Sequence, residues 1–362
     1  MASWAYPNNL AKLSFDLHDR LAQDHGGAEL WGYRRVRCGQ LTAVASQRED
    51  AHKLESNNHP SIDLGKYWAR EPKKSSLLPH DLDWFDNRST QAYEEFADTT
   101  STAQVYPLQF TNSMARLAEQ SGARIILGKV ENINCCNING APEDASPLAA
   151  SDDLTGKKVV SVTYIDKASS RQHTLPATSI VLAAGPWSPT LLPKFRVQPL
   201  RAHSVTIKLQ RPVSAYCLFS DIHPTAGAKP ISLEIYPRPN NEVYICSQGD
   251  LDIPLPPPGN AAEVSSNRCQ DIINAARSVS GEMQNGQVTG RRACYLPVIS
   301  DNGAGNGPLV GHTGLAGLVL ATGHSCWGIS NAPGTGKAVS ELIFDGRISC
   351  LDAASLDPRR IL

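Results

Sequence analysis

The feature that most constrains the fold of this chain is a strand, a glycine-containing loop and a helix that follow one another near its C-terminal end. The apolar run 318–321 is typical of a short buried strand, and a loop begins at Gly323. Asn331 or Ala332 suits the cap of the following helix, and Pro333 suits its first turn. Such a helix start directs backbone N–H groups and a positive dipole end toward an anion. The sequence predicts an anion-binding loop at the end of a strand, although other α/β proteins end in the same three elements.

The loop and helix start, GHSCWGISNAPGTGK, resemble the C-terminal flavin-binding motif of FAD-dependent oxidoreductases of the D-amino-acid-oxidase superfamily, fungal members included. The resemblance implies FAD as the cofactor. The anion would be the pyrimidine edge of the isoalloxazine, which gains negative charge on reduction. The residues that the resemblance places against the cofactor here are Gly323, Ser325, Cys326, Trp327, Gly328 and Ile329.

Residues 179–189 carry a second match, an apolar strand that ends at Ala184 and Gly185 and is followed by Trp187. It resembles the strand that returns to the cofactor in this superfamily, where glycine lets the backbone pass close to the flavin. The resemblance makes all three residues cofactor-binding. Taken without the resemblance, the segment is an ordinary core strand with a turn.

Residues 104–133 give a third match. Thr111 is expected to cap a helix that Gly122 ends, and the run 125–127 is expected to lead as a strand into Gly128. The resemblance implies that Val130 meets the adenine of FAD through its backbone.

Residues 10–34 give the fourth match. Their leucines recur at helical spacing, and Gly26 and Gly27 are expected to stop the helix. Fungal members of the superfamily carry a similar segment just after their dinucleotide-binding unit. The four segments have the order and spacing of the superfamily, so the resemblance spans nearly the whole chain.

One superfamily element is missing from this sequence. Members normally begin with a strand, the motif G-x-G-x-x-G and a helix, which together hold the pyrophosphate of FAD. No G-x-G-x-x-G occurs here. We therefore expect an incomplete, truncated version of the fold that binds FAD weakly or not at all and is poorly stable.

The expected fold is α/β. An incomplete FAD/NAD(P)-binding Rossmann-like cofactor domain is interleaved with a substrate domain built on a mostly antiparallel β-sheet. We assign 1–45, 100–200 and 290–362 to the cofactor domain, and 46–99 and 201–289 to the substrate domain. In the second domain the sequence predicts three strands, at 203–209, 231–236 and 242–247. It also predicts a hairpin turn at 237–241 and a helix at 261–279.

Composition and charge exclude several classes of function. The net charge is −1, from 34 Lys and Arg against 35 Asp and Glu, which gives no electrostatic case for nucleic acid. No apolar run approaches the roughly 20 residues of a membrane span. The nine cysteines include no C-x-x-C pair, so we expect reduced thiols, a cytoplasmic location and no metal site. The sequence does not specify the oligomeric state.

Two residues are candidates for chemistry. In sarcosine oxidase a cysteine at a place matching Cys294 is bonded to the flavin, and the alternative for Cys294 is a buried thiol on a strand. His324 is expected either to lie near the flavin and tune it or to bond to a backbone carbonyl. The resemblance leaves the substrate open, because amino-acid oxidases place an arginine where Leu296 stands and sarcosine oxidase places a lysine where Ser330 stands.

Both usual anchors for a substrate carboxylate are therefore absent. Arg291 or Arg292 is an alternative anchor, with strand alternation directing only one of them inward. The leading hypothesis is an FAD-dependent oxidoreductase that oxidises a small molecule, a bulkier or uncharged amine or alcohol, with oxygen as acceptor. The alternative is a flavoprotein fold that serves as a binding or trafficking component without turnover, or a truncated inactive form.

Overall fold

The computed structural model describes residues 8–46, 61–62, 78–149, 153–251, 253–299 and 307–361. Within them the helices are α1 (Asn8–His25), α2 (Gly27–Trp31), α3 (Pro107–Gln120), α4 (Ser188–Leu191), α5 (Ser266–Ser278), α6 (Gly281–Gln284) and α7 (Gly328–Phe344). The strands are β1 (Arg34–Arg35), β2 (Arg37–Val44), β3 (Ser61–Ile62), β4 (Thr90–Ala97), β5 (Ala103–Gln104), β6 (Gly128–Asn137), β7 (Ser146–Pro147), β8 (Lys157–Asp166), β9 (Gln172–Pro176), β10 (Ile180–Leu182), β11 (Gln198–Lys208), β12 (Tyr216–His223), β13 (Ile231–Arg238), β14 (Glu242–Asp250), β15 (Gln287–Val298), β16 (Leu309–His312) and β17 (Leu318–Thr322).

The largest sheet has eight strands in the order β15-β11-β14-β13-β12-β2-β4, with β3 paired to β14. All its pairs are antiparallel except β12 with β2. Because side chains alternate along a strand, one face collects Ile207, Ile235 and Ile245, which are buried together with Ile272 and Ile273 of α5. The predicted mostly antiparallel sheet is confirmed.

The sheet crosses the domain boundaries proposed from the sequence, because β2 and most of β15 belong to it while lying in the ranges 1–45 and 290–362. Of the proposed segment 46–99, residues 47–60 and 63–77 lie outside the described residues.

A smaller sheet of three strands, in the order β10-β17-β16, carries the segments with the flavin-like motifs. β10 and β17 run parallel, with Ile180 opposite Leu318 and Leu182 opposite Leu320. These four side chains pack in one apolar cluster with Phe195. The pairing fixes the carboxyl ends of the two strands next to each other.

Helix α1 packs against α7 and closes the other side of this sheet. A Cβ atom on Gly334 would lie 2.4 Å from Ser14 Oγ, so only glycine allows the two helices to come this close. Ser14 Oγ donates a hydrogen bond to the carbonyl of Asn331 at 3.1 Å and accepts one from the backbone N–H of Gly334 at 3.1 Å. The start of α7 is thereby fixed by the first helix of the chain.

Pro333 lies inside α7, so the prediction that it occupies the first turn is wrong: the helix begins at Gly328, one turn earlier. Proline has no N–H, and within a helix its partner would be the carbonyl four residues back, on Ile329. The structure supplies another donor, because His18 Nε2 donates to that carbonyl at 3.0 Å. An outside side chain therefore makes a proline tolerable at this position.

Two further predictions in the third match are wrong. Thr111 is not the N-cap of helix α3, because the helix begins at Pro107, four residues earlier, with Tyr106 at its N-cap. Proline is preorganised for the first turn of a helix. The run 125–127 is not a strand. Pairing with β8 begins only at Gly128, which is the first residue of β6.

Two other local predictions, the end of the first helix and the hairpin, are confirmed. Helix α1 ends before Gly26, which adopts a φ of 68°. The predicted hairpin joins β13 to β14 through the three residues 239–241, and Asn240 and Asn241 have φ angles of 63° and 55°, which asparagine tolerates in tight turns. All nine cysteines are free thiols. No helix of the described part of the chain is both long and apolar enough to cross a membrane.

Replacing His18 by leucine tests the role of this histidine at the α1–α7 contact. His18 is buried, so His18→Leu leaves the Ile329 carbonyl without its donor, and we expect a loss of about 1 to 3 kcal/mol in the free energy of unfolding. Urea denaturation measures the loss. His25→Leu, at the exposed end of the same helix, is the matched control and is expected to change stability by less than about 0.5 kcal/mol. Equal effects of the two changes would contradict this role.

Candidate functional site

Two glycine loops lie side by side at the carboxyl ends of β10 and β17. The first loop, residues 184–187, follows β10, and the second loop, residues 323–327, follows β17. Thr322 Oγ1 donates a hydrogen bond to the carbonyl oxygen of Gly185 at 3.1 Å, and Ser188 Oγ donates to the same oxygen at 2.8 Å. The structure thus brings together two segments that the sequence identified separately, at the sheet edge where open α/β folds bind ligands.

Both loops turn through left-handed backbone conformations. Gly185 has a φ of 53°, and a Cβ atom there would meet no atom within 4 Å. Gly323 has a φ of 79°, and a Cβ atom there would lie 2.4 Å from Ile299 Cγ1. Ser325 adopts a φ of 50°, which is uncommon for a residue with a side chain and is concentrated at ligand sites. The first loop therefore borders open space, while the second is held tightly from behind.

Unpaired polar atoms collect where the second loop meets α7. The Nδ1 atom of His324 is buried without a hydrogen-bond partner in the described structure, and so are both side-chain polar atoms of Asn331. The other ring nitrogen of His324 lies 3.5 Å from Thr335 Oγ1. Burial lowers the pKa of His324 to about 4, so the imidazole is neutral at neutral pH. Because buried polar groups normally find partners, three unpaired atoms here indicate a place for a bound group.

The face of the eight-stranded sheet opposite α5 is unusually rich in polar and aromatic side chains. Glu234 and Tyr236 alternate with the buried core residues of β13, and Tyr244 and Cys246 do the same on β14. The rings of Tyr236 and Tyr244 stack with centroids 6.3 Å apart. All four side chains are half-buried. This face is therefore enclosed but not sealed, as the lining of a binding cleft must be.

Glu234 is the most unusual residue on this face. Its Oε2 atom accepts hydrogen bonds from Tyr236 Oη at 2.5 Å and from Cys246 Sγ at 3.6 Å. No ion pair joins Glu234 to a lysine, arginine or histidine among the described residues. Burial raises the pKa of its carboxyl group, and the two hydrogen bonds offset only part of that effect. A half-buried carboxylate without a cation is costly and is typical of a functional site.

The second loop faces this polar sheet surface. Burial raises the pKa of the Cys326 thiol to about 12, and the nearby charge of Glu234 adds to the effect. Burial likewise raises the pKa of Cys246 well above its usual value, with Glu234, Cys294 and Cys326 as further causes. β15 contacts both loops. The two loops and the sheet face opposite α5 therefore form one candidate site.

The structure places two of the predicted residues on the walls of this site. Cys294 is exposed on β15, so the alternative of a buried core thiol is wrong, while its bond to a flavin stays a prediction. Trp187 packs edge-on against the ring of Tyr295, and its Nε1 donates to the carbonyl of Pro256 at 2.9 Å. Trp187 is thus held in position at the end of the first loop.

The remaining predicted residues are distributed differently. Ser325, Trp327 and Gly328 lie half-buried in or next to the second loop, as expected for groups that line a site. The carbonyl of Ile329 is occupied by His18. Val130 lies in the separate sheet β7-β6-β8-β9, opposite Tyr164, and is 39% exposed. A role for Val130 in holding adenine stays a prediction.

The two arginines considered as carboxylate anchors point to opposite faces, as strand alternation requires. Arg291 Nη2 lies 3.4 Å from Gln270 Oε1 on the α5 side, and Arg292 Nη1 lies 3.4 Å from Thr206 Oγ1 on the other. Both are exposed. Neither is buried as a substrate clamp would require.

Sequence reasoning missed Glu234. The signal was present, because β13 alternates between apolar and polar residues in the order Ile231, Ser232, Leu233, Glu234, Ile235 and Tyr236. Such alternation normally means that the polar side faces water. The polar side here faces the two loops instead, which follows from the packing of two sheets that are distant in the sequence.

Comparison with known proteins identifies the family of the chain. The family described as DAO, FAD dependent oxidoreductase, matches residues 1–342. Two fungal proteins, each named "Putative oxidoreductase", are similar. TDA3 of Saccharomyces cerevisiae is 27% identical over 99% of this chain and 84% of its own, and C1F5.03c of Schizosaccharomyces pombe is 28% identical over 98% and 83%.

A solved structure shows the same fold at low sequence identity. Glycine oxidase from Geobacillus kaustophilus superposes with a TM-score of 0.61 at 17% identity, covering 96% of this chain and 81% of its own. The expected α/β fold, with a Rossmann-like part and an antiparallel substrate sheet, agrees with this neighbour. The chain belongs to the DAO family of FAD-dependent oxidoreductases.

Proposed function

We propose that this chain oxidises a small molecule with FAD bound between the two glycine loops and oxygen as the electron acceptor. The observation that carries the proposal is the juxtaposition of both loops beside the polar face of the eight-stranded sheet. Family membership supports FAD as the cofactor. The unpaired atoms of His324 and Asn331 and the open space at Gly185 suit a bound planar group.

The start of α7 suits the flavin better than the sequence had suggested. Because the helix begins at Gly328, its N-terminus follows the second loop directly. The positive end of the helix dipole and the first N–H groups then stabilise negative charge at that loop. When bound, FAD would take up a hydride from the substrate and pass the electrons to oxygen.

The residues around the cofactor place supply orientation and shielding. Trp187 is held in place by its hydrogen bond to the carbonyl of Pro256 and its contact with Tyr295, and it borders one side of the proposed flavin site. The neutral imidazole of His324 offers an acceptor or a donor at Nδ1 without adding a positive charge. No described side chain in the two loops is charged, so the charge available to a substrate comes from the sheet.

Asparagine in place of Gly185 tests whether the open space beside the first loop receives the flavin ring. Asparagine tolerates positive φ, so Gly185→Asn is expected to fold but to weaken binding of FAD and of lumiflavin by roughly tenfold or more through steric overlap. Gly346→Asn is the matched control, since Gly346 also has positive φ and open space but lies beyond the far end of α7. Quenching of flavin fluorescence measures both affinities.

The same titration tests the consequence of the missing G-x-G-x-x-G motif. FAD and lumiflavin are expected to bind the parent chain with affinities within about tenfold of each other, because the sequence contains no G-x-G-x-x-G motif to hold the pyrophosphate of FAD. Failure of both flavins to bind at millimolar concentration would refute the proposed cofactor place, as would equal affinities in the Gly185 and Gly346 variants.

The buried neutral state of His324 predicts a pH dependence of stability. Its pKa of about 4 in the folded chain lies below the value of 6.5 for an exposed histidine, so protonation favours the unfolded state. Stability from this group is complete above about pH 6.5 and falls as the pH drops toward 4, by about 3 kcal/mol in total. The gap in unfolding free energy between the parent chain and His324→Gln should shrink by this amount over that range. A constant gap would show that His324 is not buried as a neutral group.

Turnover distinguishes an enzyme from a binding component with the same fold. In the flavin-loaded chain, a substrate should bleach the flavin absorbance anaerobically, and admission of air should restore it with one hydrogen peroxide released for each reduced flavin. Reduction without reoxidation by air would refute oxygen as the acceptor.

A further inference from the structure

We propose that the proline-rich segment 253–258 is a docking surface for a second protein, a domain with an uncharged groove of aromatic side chains that binds polyproline II helices. The segment reads Ile-Pro-Leu-Pro-Pro-Pro and lies in the loop between β14 and α5. The proposal goes beyond the proposed function, because it requires neither flavin nor turnover.

The sequence of this segment restricts its backbone. Proline holds its own φ at about −65° and disfavours the helical region for the residue before it. Each of the six residues 253–258 is a proline, precedes one, or does both. These restrictions favour the polyproline II helix, which has three residues per turn and no internal hydrogen bonds. Residues 253–257 accordingly belong to no α-helix and no strand.

Two aromatic side chains of the chain itself hold the segment by its backbone. Tyr295 Oη donates a hydrogen bond to the carbonyl of Pro254 at 2.9 Å, and Trp187 Nε1 donates one to the carbonyl of Pro256 at 2.9 Å. The two rings pack edge-on with centroids 6.5 Å apart. The inner side of the segment is therefore already bound on an aromatic surface, the kind of surface that recognises polyproline II helices.

The outer side of the segment carries two prolines three residues apart. Pro254 and Pro257 are exposed, whereas Leu255, Pro256 and Pro258 are half-buried. With three residues per turn, positions i and i+3 lie on the same face of a polyproline II helix, so the two exposed rings form one P-x-x-P face. Segments of this pattern dock in aromatic-lined grooves. The alternation of exposure therefore favours such a groove as the partner of the outer face.

The loop that carries the segment is fixed at both ends by a cluster of charged side chains. Asp250, at the start of the loop, accepts a hydrogen bond from Arg201 Nη2 at 3.2 Å and pairs with Arg268 of α5 at 2.6 Å. Near the end of the loop, Arg201 Nη1 donates to the carbonyl of Glu263 at 3.3 Å. A surface already held in its bound conformation loses less entropy on association. The segment is thus preorganised for a partner.

The charge of the segment narrows the class of partner. Residues 253–262 contain no lysine, arginine, aspartate or glutamate. The P-x-x-P face therefore offers no ion pair to an acidic or basic groove, and it matches a groove that buries proline rings against aromatic side chains alone. Domains of the WW and EVH1 types supply aromatic grooves of this kind.

The test is calorimetric titration of the full chain, without flavin, with a panel of purified WW and EVH1 domains. At least one domain is expected to bind with a micromolar Kd. Pro254→Ala and Pro257→Ala are each expected to weaken that binding by roughly tenfold or more, because each removes a ring from the exposed face. Pro142→Ala is the matched control, since it removes an exposed proline elsewhere in the chain, and the affinity should not change.

A second variant, on the partner, identifies the groove. The same domain with its groove aromatic residues replaced by alanine should not bind. Absence of binding by every domain of the panel at millimolar concentration would overturn the proposal, and so would binding that both segment variants leave unchanged.

The outcome is independent of the proposed function. Flavin binding without domain binding would overturn this inference alone. Domain binding by a chain that binds no flavin would support it and count against the proposed cofactor place.

Discussion

The parallel pairing of β10 with β17 is the constraint on which the site depends. The strands are separated by more than 130 residues, yet residue-by-residue pairing of 180–182 with 318–320 brings their carboxyl ends level. A slip of one residue would turn the buried side chains of both strands outward and separate the two glycine loops. The hydrogen bond from Thr322 to the Gly185 carbonyl then joins the loops directly. Backbone pairing and apolar burial thus determine where a ligand can bind before any polar side chain is considered.

The first helix of the chain stabilises the last one at the point where function requires it. Three polar contacts from α1, two by Ser14 and one by His18, reach the first turns of α7. They support a helix start that proline would otherwise weaken, and this start follows the second loop. The site therefore depends on contacts between residues more than 300 positions apart, and it cannot form until the long-range packing does.

The parts of this structure that could be predicted from the sequence are those determined by local chemistry. Leucine periodicity and Gly26 gave the first helix, and Asn240 with Asn241 gave the hairpin, because each depends on a few neighbouring residues. The start of α7 could not be found in this way. Pro333 predicts a helix start because a proline inside a helix leaves a backbone carbonyl without its N–H partner. In this structure His18 donates to that carbonyl, on Ile329, so the proline can lie inside the helix.

The polar face of the large sheet shows the same limit more strongly. Its alternating residues are those of an ordinary strand with one side in water. Tertiary packing over that side leaves Glu234 half-buried, and this burial raises the pKa of its carboxyl group.

A carboxylate that is partly removed from water without a neighbouring cation is destabilising, and substitution by a neutral residue of similar size would relieve the cost. A fold shaped by stability alone would place an apolar residue on β13 at this position, as it does at Leu233 and Ile235 on the other face. The carboxylate is accompanied by a hydroxyl donor and aromatic rings, while the loops opposite it contribute no charge. Among the described residues, uncharged loops on one side and a carboxylate on the sheet would therefore give a charged ligand bound between them a single orientation.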